Sequence, residues 1–350
     1  MAAESAYAAA GVDIAAGDRA VELMKDAVAR SHRPEVLGGL GGFAGFFDAS
    51  ALAAYRHPVL ATSTDGVGTK VAIAGAMGVY DTIGFDLIGM LVDDLVVTGA
   101  EPLFVTDYIA CGKVYPERIA AIVGGIAAAC TAAGASLLGG ETAEHPGLMG
   151  ADDFDIAGAT TGVVEYDEIL GAGRVRGGDV VLALASSGLH SNGYSLVRHV
   201  FSGWSLERDV AELGGTLGET LLTPTRVYAR DLLAIIRACE VHSISHITGG
   251  GLANNLVRVI PDGVAVDLDR GSWQPPAIFR LVQKVGKLSR PDVEATLNQG
   301  VGMALVLPEG SVAAAQAVAT AAGIESWVAG VTSSAKGEPA RVSLHGDHPR

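Results

Sequence analysis

Apolar positions along the chain recur with two periods, one near 3.6 residues and one near 2, and segments of the two kinds alternate. Over residues 18–31, Val21, Met24 and Val28 stand at helical spacing behind Asp18, the predicted N-cap. Residues 59–64 (VLATST) predict a strand ending at Asp65. Residues 81–98 (DTIGFDLIGMLVDDLVVT) predict a helix that is apolar nearly all round, hence covered on most sides. At about 100° per residue, Asp94 falls between Ile83 and Leu87, inside the stripe formed with Met90 and Leu91. Asp86 and Asp93 share a neighbouring face. Residues 99–110 predict a turn and a strand carrying Asp107, and Pro116 opens the next helix. Residues 135–142 predict a short apolar strand running into Gly139, Gly140 and Glu141. The pattern breaks near residues 170–178, where GAGRVRGGD interrupts it, so the expected domains are 1–170 and 171–345. After the break, residues 179–187 predict a strand, 224–237 a helix beginning with Pro224, and 246–261 a triple-glycine turn entering a helix. Strands and helices alternate to about residue 333, and the polar end predicts a frayed tail or a short edge strand.

Composition narrows what such a chain can do. Its 350 residues suffice for two domains, and 49% apolar content supplies a substantial core. Only 5% of residues are aromatic while 47 are glycine, which favours close packing of elements over large aromatic anchors. A net charge of −15 argues against nucleic acid or an anionic membrane as partner, since both need a basic face. Cys111, Cys130 and Cys239 are odd in number and lack a CxxC spacing, which reads as reduced thiols in a cytoplasmic protein. The first residues lack the basic region of a signal peptide. Residues 119–140 are uncharged and long enough to span a bilayer, but their alanine and glycine content predicts a buried helix followed by a buried strand.

Candidate chemistry concentrates where strands meet glycines. STDGVGTK (63–70) has a single residue between Gly66 and Gly68, and Thr69 precedes Lys70, so it is no Walker A loop. Asp65 beside a phosphate would repel it unless a divalent cation lay between them; the stretch is either a metal-assisted phosphate loop or a tight turn. GGLGGFAG (38–45) fits GxGxxA at Gly39, Gly41 and Ala44, yet no strand precedes it, so it reads as a mobile glycine-rich loop. Asp65, Asp94, Asp107 and Glu141 recur at or near element ends, a set suited to a hard cation such as Mg²⁺. A carboxylate in an apolar stripe, as expected for Asp94, needs a metal or an ion pair, and both stay open. In the second half, the loop holding His190, Ser191 and Asn192 and the turn Gly249, Gly250, Gly251 are candidate anion cradles.

STDGVGTK, GAEPLFVTDY, GGETAEHPG, SSGLHSNGYSLVR, PTRVY and HITGGG occur in an order and spacing that resemble the phosphoribosylformylglycinamidine cyclo-ligase family. The resemblance runs from YAAAGVDI at the N-terminus to about residue 333. It implies an α/β (α+β) two-domain fold: an N-terminal ATP-binding domain whose sheet pairs across a homodimer into a β-barrel, and a C-terminal α/β substrate domain. It implies ATP-dependent cyclisation of formylglycinamidine ribonucleotide to aminoimidazole ribonucleotide with release of ADP and phosphate. By motif match, Asp65, Asp94 and Glu141 would hold Mg²⁺, with Asp65, Asp94 and His190 the catalytic set and a monovalent cation a further candidate. Lys25, Gly66, Gly68, Thr69, Lys70, Asp107, Gly139, Gly140, Glu141 and Thr142 would bind ATP, with GGLGGFAG closing over it. His190, Ser191, Asn192, Gly249, Gly250 and Gly251 would face the substrate. The chain departs from the family at Asp93, where asparagine is usual, at GLH for GPH, at HPGLM for MPGMY, and at Ala295 for arginine. Other ATP-using enzymes of the same superfamily, such as selenophosphate synthetase or thiamine monophosphate kinase, and a non-catalytic nucleotide-binding scaffold are the competing expectations.

Overall fold

A computed structural model describes residues 13–349; most of the YAAAGVDI segment lies outside them. Chain contacts divide the fold into two compact units, one reaching Leu95 and resuming over Glu101–Glu165, the other comprising Val96–Ala100 and the chain from Tyr166 onward.

The first unit begins with α1 (Ile14–Ser31). Its N-cap is Asp13, which accepts the Ala16 N–H at 3.0 Å, so the helix starts well before the expected Asp18. Its buried stripe is Ala20, Met24 and Val28, with Val21 half-exposed beside it. There follow β1 (Pro58–Gly66), α2 (Val71–Met77), α3 (Ile83–Val96), β2 (Glu101–Cys111), α4 (Pro116–Ala133), β3 (Ser136–Glu144) and β4 (Phe154–Glu165). The strands form one sheet in the order β1-β4-β2-β3. The β2 and β3 strands are parallel and joined by α4, while β4 is antiparallel to both β1 and β2. The apolar run at residues 119–140 is therefore a core helix and strand: α4 buries Ile119, Ile122, Ile126 and Cys130. It is the one helix among the described residues long and apolar enough to cross a membrane, and half of it is buried.

Among the described residues, the helices of this unit cover one sheet face only. On that face Gly158 approaches Leu87 and Leu91, and Gly162 approaches Leu95, so closely that a Cβ at either glycine would collide. The opposite face shows Leu60, Thr62 and Thr64 of β1 and Thr106 and Tyr108 of β2 to solvent.

The second unit contains β5 (Val180–Ala185), α5 (Tyr194–Val200), α6 (Leu217–Leu221), α7 (Ala229–Ala238), β6 (Ser243–His246), α8 (Gly251–Leu256), β7 (Val264–Asp269), α9 (Ala277–Gly286), α10 (Arg290–Glu294), β8 (Val301–Leu307), α11 (Val312–Ala321), β9 (Ser326–Ser334) and β10 (Arg341–His345). Its six-stranded sheet runs β6-β8-β5-β9-β7-β10 and is antiparallel except at the β7/β10 edge. The polar tail thus contributes an edge strand. Helix α7 starts at Ala229, later than Pro224 suggested. Pro224 is held in the preceding loop, where its carbonyl accepts the Ser187 hydroxyl at 2.7 Å.

Candidate functional site

In the first unit, a row of directly paired residues crosses the sheet: Asp65 of β1, Gly158 of β4, Asp107 of β2 and Gly140 of β3. Paired residues share a face, so Asp65 and Asp107 both lie on the helix-covered side, two strands and about 9.5 Å apart at ordinary strand spacing. Gly140 leaves room for the aspartate. A Cβ there would stand 1.5 Å from Asp107 Oδ1.

Asp107 also lines a cavity of about 390 Å³. Its walls are the apolar stripe of α1 (Ala20, Met24, Val28), Val123, Leu137, the glycine-rich loop at Gly41, Gly42 and Phe43, and the segment Gly139, Gly140, Glu141, Thr142. The loop is pinched at its base by a two-residue ladder, Val36 with Phe47 and Leu37 with Phe46. Burial pushes the Asp107 carboxyl up to about 7, partly opposed by a hydrogen bond from its own backbone N–H. The cavity is an apolar slot with one acidic, glycine-rich end, the form expected for a base or ring with an attached polar group.

Several expected ATP contacts lie elsewhere. Lys70 is fully buried with its ammonium 2.7 Å from Asp86 Oδ1, itself fully buried. Its ammonium therefore faces inward, toward α3. Burial lowers its pKa, and Asp86 opposes that shift. Lys25 projects from α1 into solvent and pairs with Glu22 on the same helix, while its neighbour Met24 faces the cavity. Gly66, Gly68 and Thr69 form a tight turn at the end of β1. Gly68 is left-handed (φ 67°), and the Val67 N–H bonds Ile156 O at 3.1 Å.

The expected metal trio is not gathered. Asp94 is exposed, whereas Asp86 and Asp93 are fully buried, the reverse of the helical-stripe expectation. Eight residues separate Asp94 from Asp86, about 12 Å along the helix, which takes Asp94 away from the loop that Lys70 anchors. Glu141 pairs with Tyr108 and so stands on the opposite sheet face from Asp107. Among the described residues, no three His, Cys, Asp or Glu side chains are grouped to hold a metal ion.

In the second unit the expected substrate residues do converge. His190 is buried (1% exposed) and left-handed (φ 60°), a conformation rare outside glycine. Its Nε2 accepts the Ser187 N–H at 3.1 Å, so the neutral ring carries its proton on Nδ1. His190 is thereby tied to the backbone of its own loop. Ser191 is buried beside it, and Asn192 Oδ1 lies 3.3 Å from where a Cβ on Gly249 would stand. Gly250 and Gly251 are left-handed, and Gly251 presses on the Glu294 carbonyl so tightly that a Cβ would sit 1.7 Å from it. Pattern reading missed two contributors: Asp86, which pairs with Lys70, and Asn255, buried behind the glycine turn. The only sequence signal for Asn255 was a polar residue on the buried side of a short amphipathic helix.

Two family profiles match: AIR synthase related protein, N-terminal domain, over residues 47–164, and its C-terminal domain over residues 176–342. The phosphoribosylformylglycinamidine cyclo-ligase of Desulfitobacterium hafniense is 48% identical over 327 residues, covering 93% of this chain and 96% of its own. That of Shouchella clausii is 49% identical over 329 residues, covering 93% and 95%. Among solved structures, thiamine-monophosphate kinase from Stenotrophomonas maltophilia superposes with a TM-score of 0.66 at 18% identity, covering 94% of this chain and 97% of that one. The hydrogenase maturation protein HypE of E. coli gives 0.65 at 18% identity, covering 94% and 93%. At that identity the structural likeness speaks for the two-domain mixed α/β fold alone.

Proposed function

The chain belongs to the phosphoribosylformylglycinamidine cyclo-ligase family, and from that premise we propose that it closes the imidazole ring of aminoimidazole ribonucleotide in purine biosynthesis, using ATP in a cytoplasmic setting. The formyl oxygen of formylglycinamidine ribonucleotide takes the γ-phosphoryl group, and a substrate nitrogen then attacks that carbon. Phosphate leaves, and ADP is the other product.

The observation that carries the reading is the 390 Å³ cavity with Asp107, Gly139, Gly140 and Thr142 at its polar end and the glycine-rich loop above it. An apolar slot suits the adenine ring, and loop closure excludes water from a reactive phosphoryl group. Gly140 permits close approach of backbone and Asp107. Mg²⁺ bound with the nucleotide would offset phosphate charge, and Asp65 and Asp107, on one sheet face, are the carboxylates this chain offers it. Within one chain Asp94 is separate from that pair, while Glu141, on the other sheet face from Asp107, borders the same cavity. In the second unit, Asn192 and the turn Gly249–Gly251 bind the phosphoribosyl end of the substrate, while His190 and Ser191 fix the loop that carries Asn192. Phosphoryl transfer needs positioning and charge neutralisation more than a covalent nucleophile, which fits cysteines held protonated by burial, Cys111 at about 11 among them. The uncovered face of the four-stranded sheet supports a homodimer.

The test is ADP release from ATP and Mg²⁺, with and without formylglycinamidine ribonucleotide, in wild type and Asp107→Ala. Release that requires the substrate and falls at least 100-fold in the variant is the expected result. Substrate-independent release in wild type would overturn the cyclo-ligase reading in favour of another superfamily activity.

A further inference from the structure

The turn at residues 248–251 is organised from behind by two successive asparagines. Asn255 is 3% exposed, and its Nδ2 donates to Gly251 O at 2.8 Å, Gly249 O at 3.2 Å and Thr248 O at 3.3 Å. Its Oδ1 accepts from the Thr248 hydroxyl at 3.3 Å and from Arg258 Nη1 at 3.4 Å. Asn254, exposed at the preceding position, donates to Gly250 O at 2.8 Å. Every carbonyl from Thr248 to Gly251 is thereby drawn to an amide side chain.

The direction of those carbonyls fixes what the rest of the turn can present. Each peptide carries its N–H opposite its carbonyl, so turning the carbonyls toward α8 turns amide groups the other way. Among the described residues, the N–H groups of Gly249 and Gly250 donate to no protein acceptor. Gly249 is also the position beside Asn192 Oδ1. Successive outward N–H groups in a turn with left-handed residues form an anion-binding concavity. Thr248 O is also held by the Gly251 N–H at 3.2 Å, and Gly251 O belongs to the first turn of α8. Without the asparagines it is the Gly249 and Gly250 carbonyls that would be free to rotate toward the same space and repel an anion.

We propose that Asn255, assisted by Asn254, is a positioning residue for the phosphate of the phosphoribosyl substrate: it touches no substrate atom and acts by fixing the peptide orientation at Gly249 and Gly250. This rests on the reading that assigns the glycine turn to that substrate. Arg258 holds the Asn255 amide in the orientation that aims its NH₂ group at the turn. Gly251, packed on the Glu294 carbonyl, stops the turn from relaxing backwards. The arrangement favours a phosphate over a neutral hydroxyl, and it does not bear on the ATP cavity of the other unit.

The test measures steady-state ADP release and the binding of ribose 5-phosphate and ribose by calorimetry, in wild type, Asn255→Ala, Asn255→Ser and Asn254→Ala. In Asn255→Ala, KM for formylglycinamidine ribonucleotide should rise at least tenfold while KM for ATP stays within twofold. The preference for ribose 5-phosphate over ribose should fall by a similar factor. Asn255→Ser, which keeps one donor, should lie between. Asn254→Ala, at an exposed site that leaves the fold intact, should lose preference about threefold. A merely structural role would lower the melting temperature and the active fraction but leave both KM values and the sugar preference unchanged, and that result overturns the proposal. So does unchanged preference in Asn254→Ala should the Asn255 variants fail to fold. If wild type is active yet does not prefer ribose 5-phosphate, the assignment of the turn fails. If wild type shows no substrate-dependent ADP release, the cyclo-ligase reading fails instead.

Discussion

Asp107 stands at about 7 because burial disfavours its charge, and this dictates how the ligand-free protein responds to pH. An unfolded aspartate titrates near 3.9. Between that value and about 7, the folded protein binds more protons at this position than the unfolded chain does. Stability contributed here therefore falls as pH rises through the window, and the loss is complete above about 7. Asp107→Asn removes the charge without changing the size of the side chain. In ligand-free, metal-free protein, thermal unfolding should show the variant more stable than wild type at pH 8 and equal to it near pH 4. An unchanged difference across that range would show that Asp107 does not carry the buried charge. The residue was legible as a strand-borne acid, whereas its raised pKa was not, because it comes from Gly140 and the α1–α4 wall brought in from other parts of the chain.

Helix α3 shows what periodicity captures and what it leaves out. Its extent and all-round burial follow from residues 81–98, and the observed span is Ile83–Val96. The ranking of its acids did not follow. Asp94 continues the apolar stripe in angle but is exposed, although Asp93, Leu95 and Val96 around it are buried. Asp86 is buried because Lys70, sixteen residues earlier, folds back onto it. A helical wheel contains angle but neither depth nor partner. Removing one member of a buried pair leaves an uncompensated charge, at a cost of about 3–5 kcal/mol, whereas replacing both with apolar groups is often neutral. Asp86→Ala should therefore lower unfolding stability by about that amount in urea titration. Lys70→Met combined with Asp86→Leu should recover most of it. Recovery of stability without recovery of ADP release would separate the anchoring of the 65–70 turn from any electrostatic part Lys70 plays in turnover.

At the scale of the whole molecule, contiguous motifs were the legible part: each is a turn whose chemistry lies within a few residues. The row from Asp65 through Gly158 and Asp107 to Gly140 was not, because strand register joins residues far apart in sequence. The same register reveals the unsatisfied surface of the fold. Strands β1 and β2 present Leu60 at 61% exposure and Tyr108 at 42%, with Thr62, Thr64 and Thr106, on a face that no helix covers among the described residues. Threonine, leucine and tyrosine in extended strands suit packing against another sheet, and a broad apolar patch on a lone chain marks an interaction surface. A second copy presenting the same face satisfies both by two-fold symmetry, in which each Leu60 faces its counterpart's surface. Sedimentation should then give twice the 35.6 kDa of one chain. Leu60→Glu places a like charge on both copies in a desolvated interface, so the variant should sediment as a monomer, most clearly at low ionic strength. A wild-type monomer, or a Leu60→Glu dimer unchanged in mass, would move the interface off this sheet.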